Sequence, residues 1–185
     1  MKAMRKLAVL ASLLIVLLSG ADGAGAGRSA RLASFPRQAT IDYAVDGDTL
    51  RVRLASGDLI YVRLVGIDTP EDVKPATPVE CGSRQAAVSM ARLAPEGAAV
   101  RLVRDSVADE YDRYGRLLAH AFVDGRQLEL AQLRRGWADV YRYDDQRFDG
   151  LTRFEAAAAL ARSTDRGVWG SCGGDFHSAE PGTQD

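Results

Sequence analysis

The chain has 185 residues, 46% of them hydrophobic, with 24 basic against 25 acidic residues and a net charge of -1. That length suits one domain built round one core, and the near-neutral balance excludes a protein that holds polyanions through its total charge, so any positive field must be local. Only two cysteines occur, Cys81 and Cys172; they lack metal-ligand spacing, which argues against a zinc site or a cysteine nucleophile.

Lys2, Arg5 and Lys6 precede an apolar run from Leu7 to Leu18 and then the small residues Ala24-Gly25-Ala26. A charged start, a short apolar centre and an A-x-A site mark a secretory signal peptide. We expect it to cover residues 1–26, with cleavage after Ala26 or, as a second choice, after Ala21. A retained anchor is the alternative, although the run is short for a bilayer. Export places the protein outside the cell, where Cys81 and Cys172 read as one disulfide tying the first helix to the end of the domain, with two buried thiols as the alternative. Residues 27–38 read as a linker.

From Thr40 the pattern changes. Ile41, Tyr43 and Val45 alternate before Asp46-Gly47-Asp48, and Leu50, Val52 and Leu54 alternate after it, which predicts a strand on each side of a break. Ser56-Gly57-Asp58 has hairpin chemistry. Leu59 to Ile67 follows as a third strand, ending at Asp68-Thr69-Pro70-Glu71. Pairing across the hairpin brings the start of the second strand beside the end of the third, close enough for Asp48 and Asp68 to share a cation. Alone, Asp-Gly and Thr-Pro are ordinary turn signals. Several carboxylates at one end of a small sheet, however, repel one another unless a cation or arginines compensate.

The segment after Glu71 carries two prolines and predicts a surface loop. Ser83 to Leu93 predicts a helix with Ala86, Ala87, Met90 and Leu93 on its apolar face. Ala98 to Val103 and Arg116 to Val123 read as strands, separated by a polar, turn-rich stretch. Leu128 to Leu133 predicts a short helix stopped by Gly136. Phe148, Leu151, Phe154, Ala158 and Ala161 then mark the face of a last helix. Residues 173–185 read as a loose tail. Five strands and three helices, without repeat or second domain, predict an α+β fold: a small five-stranded β-barrel with helical additions.

Three ordered motifs, Val45-Asp46-Gly47-Asp48-Thr49, Arg63-Leu64-Val65-Gly66-Ile67-Asp68-Thr69-Pro70-Glu71 and Asp112-Arg113-Tyr114-Gly115-Arg116, resemble those of the staphylococcal nuclease (thermonuclease) family. The likeness runs from about Ala39 to Trp169, and residues 39–172 are taken as the domain. The resemblance implies an OB-fold barrel and a Ca²⁺-dependent enzyme that hydrolyses DNA and RNA to 3′-phosphorylated products, acting as a monomer.

The residues suit that chemistry. Phosphodiester hydrolysis needs positive charge on the phosphoryl oxygens, a positioned water and help at the leaving oxygen. Asp48, Asp68 and the Thr69 carbonyl offer hard oxygen donors, with Asp46 behind them. Such donors accept Ca²⁺, Mg²⁺ or Mn²⁺ alike, and it is the resemblance that implies Ca²⁺. Arg63 and Arg116 are permanently charged planar forks suited to phosphate, and they fall on family positions that contact the scissile phosphate. Glu71 is the residue expected to orient or deprotonate water. By the same resemblance Arg113 and Tyr114 touch a terminal phosphate, while Tyr141 and Tyr143 flank the base, although VYRYDD departs from the family pattern before Tyr141. His120 and His177 have no partner at metal or triad spacing and read as incidental. The rival expectation is a barrel that binds nucleic acid or protein without cutting.

Overall fold

The structure, a computed structural model, describes residues 34–71 and 79–179. The expected signal peptide and residues 27–33 of the expected linker lie outside the described residues, as do residues 180–185.

Strand β1 (Gln38–Ala44) runs antiparallel to β2 (Thr49–Arg53), and β2 antiparallel to β3 (Leu59–Leu64) across the Ser56-Gly57-Asp58 turn. The predicted third strand is shorter than expected. Gly66 takes φ +81, and a Cβ there would collide with the Phe148 ring, so the chain turns out of the barrel at Val65-Gly66. The remainder, β4 (Ile67–Asp68), then pairs elsewhere.

Helix α1 (Ser83–Leu93) matches the predicted span and buries Ala86, Met90 and Leu93, leaving Ala87 half-buried. Strand β5 (Ala99–Val103) joins β1 and β6 (Leu117–Val123), both antiparallel. Parallel pairing of β3 with β6, Val62 opposite Leu117 and Arg63 opposite Leu118, closes the ring. The five-stranded barrel is therefore complete, and its edges vanish into one another. Ile41, Leu50, Val52, Val62, Leu64, Val100, Leu102, Leu117 and Ala119 fill it, each no more than 1% exposed; alternation along each strand is what sends them inward.

A short β7 (Arg126–Gln127) extends the sheet and leads into α2 (Leu128–Arg135). Gly136 ends α2 at φ +73, and its amide caps the Gln132 and Leu133 carbonyls. Strand β8 (Asp139–Val140) pairs with β4. Helix α3 (Leu151–Ser163) starts after Gly150, so Phe148 precedes it rather than opening it, yet Phe148 packs edge-on to Phe154 at 5.1 Å between ring centres. A one-turn α4 (Val168–Ser171) follows, giving three full helices round the barrel in an OB-fold architecture.

Two expectations change here. Residues 173–179 are packed, not loose: Phe176 is buried against Trp169, Cys81 donates its amide to the Ser178 carbonyl at 2.8 Å, and Glu80 bridges to Ala179. A disulfide joins Cys81 to Cys172, with 5.9 Å between their Cα atoms, and delivers the chain to that place. His120 is not incidental either. It is 4% exposed, with Nδ1 2.9 Å from Glu129 Oε1 and Nε2 3.0 Å from Asp105 Oδ2. Its partners lie nine and fifteen residues away on other elements, a separation that motif spacing does not reveal.

Candidate active site

The turn between β1 and β2 is built by Asp46, whose Oδ1 accepts the amides of Asp48 at 2.9 Å and Thr49 at 2.7 Å. Such an Asx arrangement fixes the backbone locally. Gly47 is required by a close approach: a Cβ there would lie 2.6 Å from Thr69 Oγ1. The turn therefore seats against Thr69, and Asp48 points inward, 4% exposed.

Every oxygen of Asp48 is engaged. Oδ1 accepts from Thr49 Oγ1 at 3.0 Å and faces Arg63 Nε at 3.1 Å, while Oδ2 accepts from the Thr69 amide and hydroxyl, both at 3.1 Å. Arg63, opposite Thr49 in the β2–β3 register, spans the site. Its Nη2 donates to Asp68 Oδ1 at 2.9 Å and its Nη1 to the Leu64 and Ile67 carbonyls at 2.8 and 2.7 Å. One guanidinium thus holds the two carboxylates that sequence reasoning placed together, and it holds the turn that carries the second of them. Charge-assisted bonds of this kind are short and directional.

The site remains rich in carboxyl groups, with Asp46, Asp48 and Asp68 set against Arg63. Burial and the neighbouring Asp48 push the Asp46 carboxyl up to about 7. Oxygen-only donors beside an excess of carboxylate fit a hard cation. Among the described residues no group of three or more histidine, cysteine or carboxylate side chains is placed to hold a metal ion. A cation would therefore draw on Asp48, Asp68, the Thr69 carbonyl and water.

Arg116 lies across the barrel seam. Its Nε donates to Asp112 Oδ2 at 2.6 Å, its amide to Asp112 Oδ1 at 2.9 Å, and its Nη1 reaches Thr49 Oγ1 at 3.3 Å. Arg63 on β3 and Arg116 just before β6 therefore approach the Asp48-Thr49 pair from two neighbouring strands, Arg63 at Asp48 and Arg116 at Thr49. Tyr114 is 68% exposed, with the guanidinium groups of Arg113 and Arg116 over its ring, 4.7 and 5.4 Å from the ring centre. Arg113 Nη2 also donates to the Tyr114 hydroxyl at 2.6 Å. An exposed aromatic face flanked by two cations is chemically a platform for a base or phosphate.

The Glu71 backbone is fixed by Glu80: its amide donates to Glu80 Oε2 at 2.7 Å and its carbonyl accepts the Glu80 amide at 3.0 Å. Tyr141 and Tyr143 follow β8 with exposed rings; the Tyr141 amide donates to the Gly66 carbonyl, and neither tyrosine bonds the Asp48–Arg63 cluster among the described residues.

Sequence reasoning missed three residues of this neighbourhood. Asp112 was visible inside its motif, four residues before Arg116. Glu80 is buried at 5% exposure and clasps Glu71. His177 reaches Glu80 Oε1 through Nδ1 at 3.3 Å and lies 3.7 Å from Asp68 Oδ2 through Nε2, so it too is not incidental to this place. Nothing local announces His177; only the cysteine pairing, which returns residues 173–179 to Glu80, hints at it.

Comparison with known proteins agrees with this geometry. A family model described as staphylococcal nuclease homologue matches residues 61–171. The chain is 34% identical over 134 residues to the SPbeta prophage-derived endonuclease YokF of Bacillus subtilis (strain 168), covering 72% of this chain and 44% of that protein. It is 32% identical over 134 residues to Endonuclease YncB of the same organism, covering 72% and 62%, and 28% identical over 162 residues to the Thermonuclease of Staphylococcus hyicus, covering 87% and 93%. The chain thus spans about half the length of the two endonucleases. A family match over residues 61–171, which include Arg63, Asp68 and Arg116, together with 34% identity over 134 residues to an endonuclease, shows that the chain belongs to the staphylococcal nuclease family.

Proposed function

We propose that this protein is an exported, calcium-dependent nuclease that hydrolyses phosphodiester bonds of DNA and RNA and leaves 3′-phosphorylated ends. The observation that carries the proposal is Arg63 bridging Asp48 and Asp68 while Arg116, held by Asp112, meets the same cluster at Thr49. Two arginines fixed beside a carboxylate pair match the charge pattern that phosphodiester hydrolysis needs.

Asp48, Asp68 and the Thr69 carbonyl are the groups that would hold the ion. When bound, calcium supplies positive charge to a phosphoryl oxygen. Arg63 and Arg116 present N–H groups to the other phosphoryl oxygens, where negative charge grows as water adds. Glu71 orients the water on the far side of the phosphorus. The water oxygen forms the new P–O bond and gives up a proton to Glu71 or bulk water, the P–O5′ bond breaks, and the departing oxygen takes up a proton from solvent with Arg116 beside it. Arg113 and Tyr114 hold the neighbouring phosphate or base, and Tyr141 and Tyr143 contribute rings to the base side. Export is supported by the disulfide, which persists in oxidising compartments. Among the described residues no helix is long and apolar enough to cross a membrane.

Digestion of single-stranded DNA and RNA by the mature protein, with Ca²⁺ or with chelator, tests the proposal. Calcium-dependent cutting to 3′-phosphate ends, falling about 10²- to 10³-fold in Arg63→Ala and greatly weakened in Glu71→Gln, is the expected result. Folded protein that binds but never cuts, with Mg²⁺ and Mn²⁺ also tried, makes the chain a binding module instead.

A further inference from the structure

A groove of about 730 Å³ runs between α1 and the end of α2, lined by Arg84, Val88, Ser89, Arg92, Arg135 and Trp137. It shares no residue with the Asp48–Arg63–Asp68 cluster. Arg84, Val88 and Arg92 form one stripe along α1 at intervals of four, all exposed, and Trp137 faces them half-buried. The chain has about as many acids as bases, and elsewhere its arginines find them: Arg53 pairs with Asp42, Arg104 with Glu110, Arg142 with Asp145. Among the described residues no carboxylate pairs with Arg84, Arg92 or Arg135. Three guanidinium groups therefore share one groove without a counter-charge. Burial lowers the Arg135 pKa, and the charges of Arg126 and Arg92 lower it further, so the positive field there is uncompensated.

The groove is also wired to the cleavage turn. Arg135 Nη1 donates to Ser89 Oγ at 3.1 Å, and Ser89 Oγ donates to Gln132 Oε1 at 2.6 Å. Gln132, fully buried, donates through Nε2 to the Gly47 carbonyl at 3.0 Å, inside the Asp46–Asp48 turn.

We propose that this groove is a second nucleic-acid site, which takes the backbone phosphates of a single strand on its arginines and an unpaired base on Trp137. Cationic grooves with an interleaved aromatic ring track single strands without regard to sequence, and guanidinium groups match phosphate geometry. The identity of the occupant rests on the nuclease reading above; the groove itself does not. A strand seated there lengthens the footprint beyond the scissile phosphate and favours long substrates over short ones.

The test is a double variant, Arg84→Ser with Arg92→Ser, both exposed positions, in the full mature protein. Binding of a fluorescent oligothymidylate of ~16 nucleotides, a length on the scale of known single-strand sites, is titrated in chelator at several salt concentrations. Loss of two phosphate contacts predicts affinity weakened ~5- to 20-fold and a log K against log salt slope flatter by about 1.4, at roughly 0.7 per contact on single strands. Trp137→Leu weakens binding with the slope unchanged. Cleavage of a thymidine dinucleotide by the double variant stays at the parent rate. Equal affinity and slope in parent and double variant overturn the proposal, as does an equal loss on the dinucleotide, or a loss of heparin binding with the oligonucleotide unaffected. A parent that cuts neither substrate, yet whose oligonucleotide binding depends on these arginines, sinks the nuclease reading and leaves the groove assigned.

Discussion

Asp112 accepts two bonds from one residue, Arg116, through its amide and its Nε. Asn at this position keeps the neutral oxygen that the Tyr114 and Arg116 amides use but removes the charge that aims the guanidinium. We expect Asp112→Asn to lower kcat on single-stranded DNA about tenfold, with Tm within a few degrees of the parent, since misplacing a charge stabiliser costs rate before it costs fold. Gly47→Ala acts from the other side. Its methyl would strike Thr69 and lift Thr69 from Asp48 Oδ2. Turnover should fall at least tenfold, and calorimetric titration should show weaker Ca²⁺ binding. At this scale the sequence was legible wherever a residue lay inside a short motif, as Arg63, Asp68 and Asp112 do. It was not legible for Glu80, which lies in no motif, or for His177, which is returned to Glu80 by a disulfide across 91 positions.

Elements meet at two junctions. In the first, His120 of β6 joins Glu129 of α2 and Asp105 beyond β5, while Asp105 Oδ1 and Oδ2 also accept the amides of Val107, Ala108 and Asp149. Burial alone would lower the His120 pKa, but Glu129 and Asp105 outweigh it and raise it above 6.5; full burial raises Glu129 above its ordinary value as well. Both groups then bind protons more tightly in the folded chain. Their stabilisation is complete below the unfolded values and is lost as pH rises through the raised ones. The gap in urea midpoint between the parent and His120→Gln should therefore narrow from pH 6 to pH 9. A gap that widens would mean that the imidazole is neutral in the fold. The second junction is the Cys81–Cys172 bridge. Closing 91 positions limits the unfolded chain by roughly 4 to 5 kcal/mol in the chain-entropy model. Reduction, or Cys81→Ser with Cys172→Ser, should lower the denaturation midpoint and raise hydrogen exchange first at the Cys81 amide, which the returning chain covers. Helix spans were legible because apolar spacing and Gly136 marked them. The exit of β4 from the barrel was not, because what turns the chain at Gly66 is the Phe148 ring, 82 residues later.

For the molecule as a whole, the parallel contact between β3 and β6 both closes the barrel and sets Arg63 beside the strand that follows Arg116. Fold and site therefore stand on one seam. Leu117→Ala, at a position 1% exposed opposite Val62, should cost about 2 to 5 kcal/mol, and thermal inactivation should track loss of near-ultraviolet dichroism at one midpoint. Five strands and three helices could be counted from the sequence, since period and turn chemistry are local. Which strands touch, and that the ring closes, depended on pairings between residues more than fifty positions apart.

Glu71 and Glu80, nine positions apart, exchange hydrogen bonds from amide to carbonyl and from amide to carboxylate. The two are neighbours, so what is spliced between them need not span any distance. Lengthening that segment costs only ~0.6 kcal/mol for each doubling. Glu71 and Glu80 are a natural port for grafting: a peptide tag, a targeting module or a hairpin that selects substrates could be carried between them without rethreading the barrel.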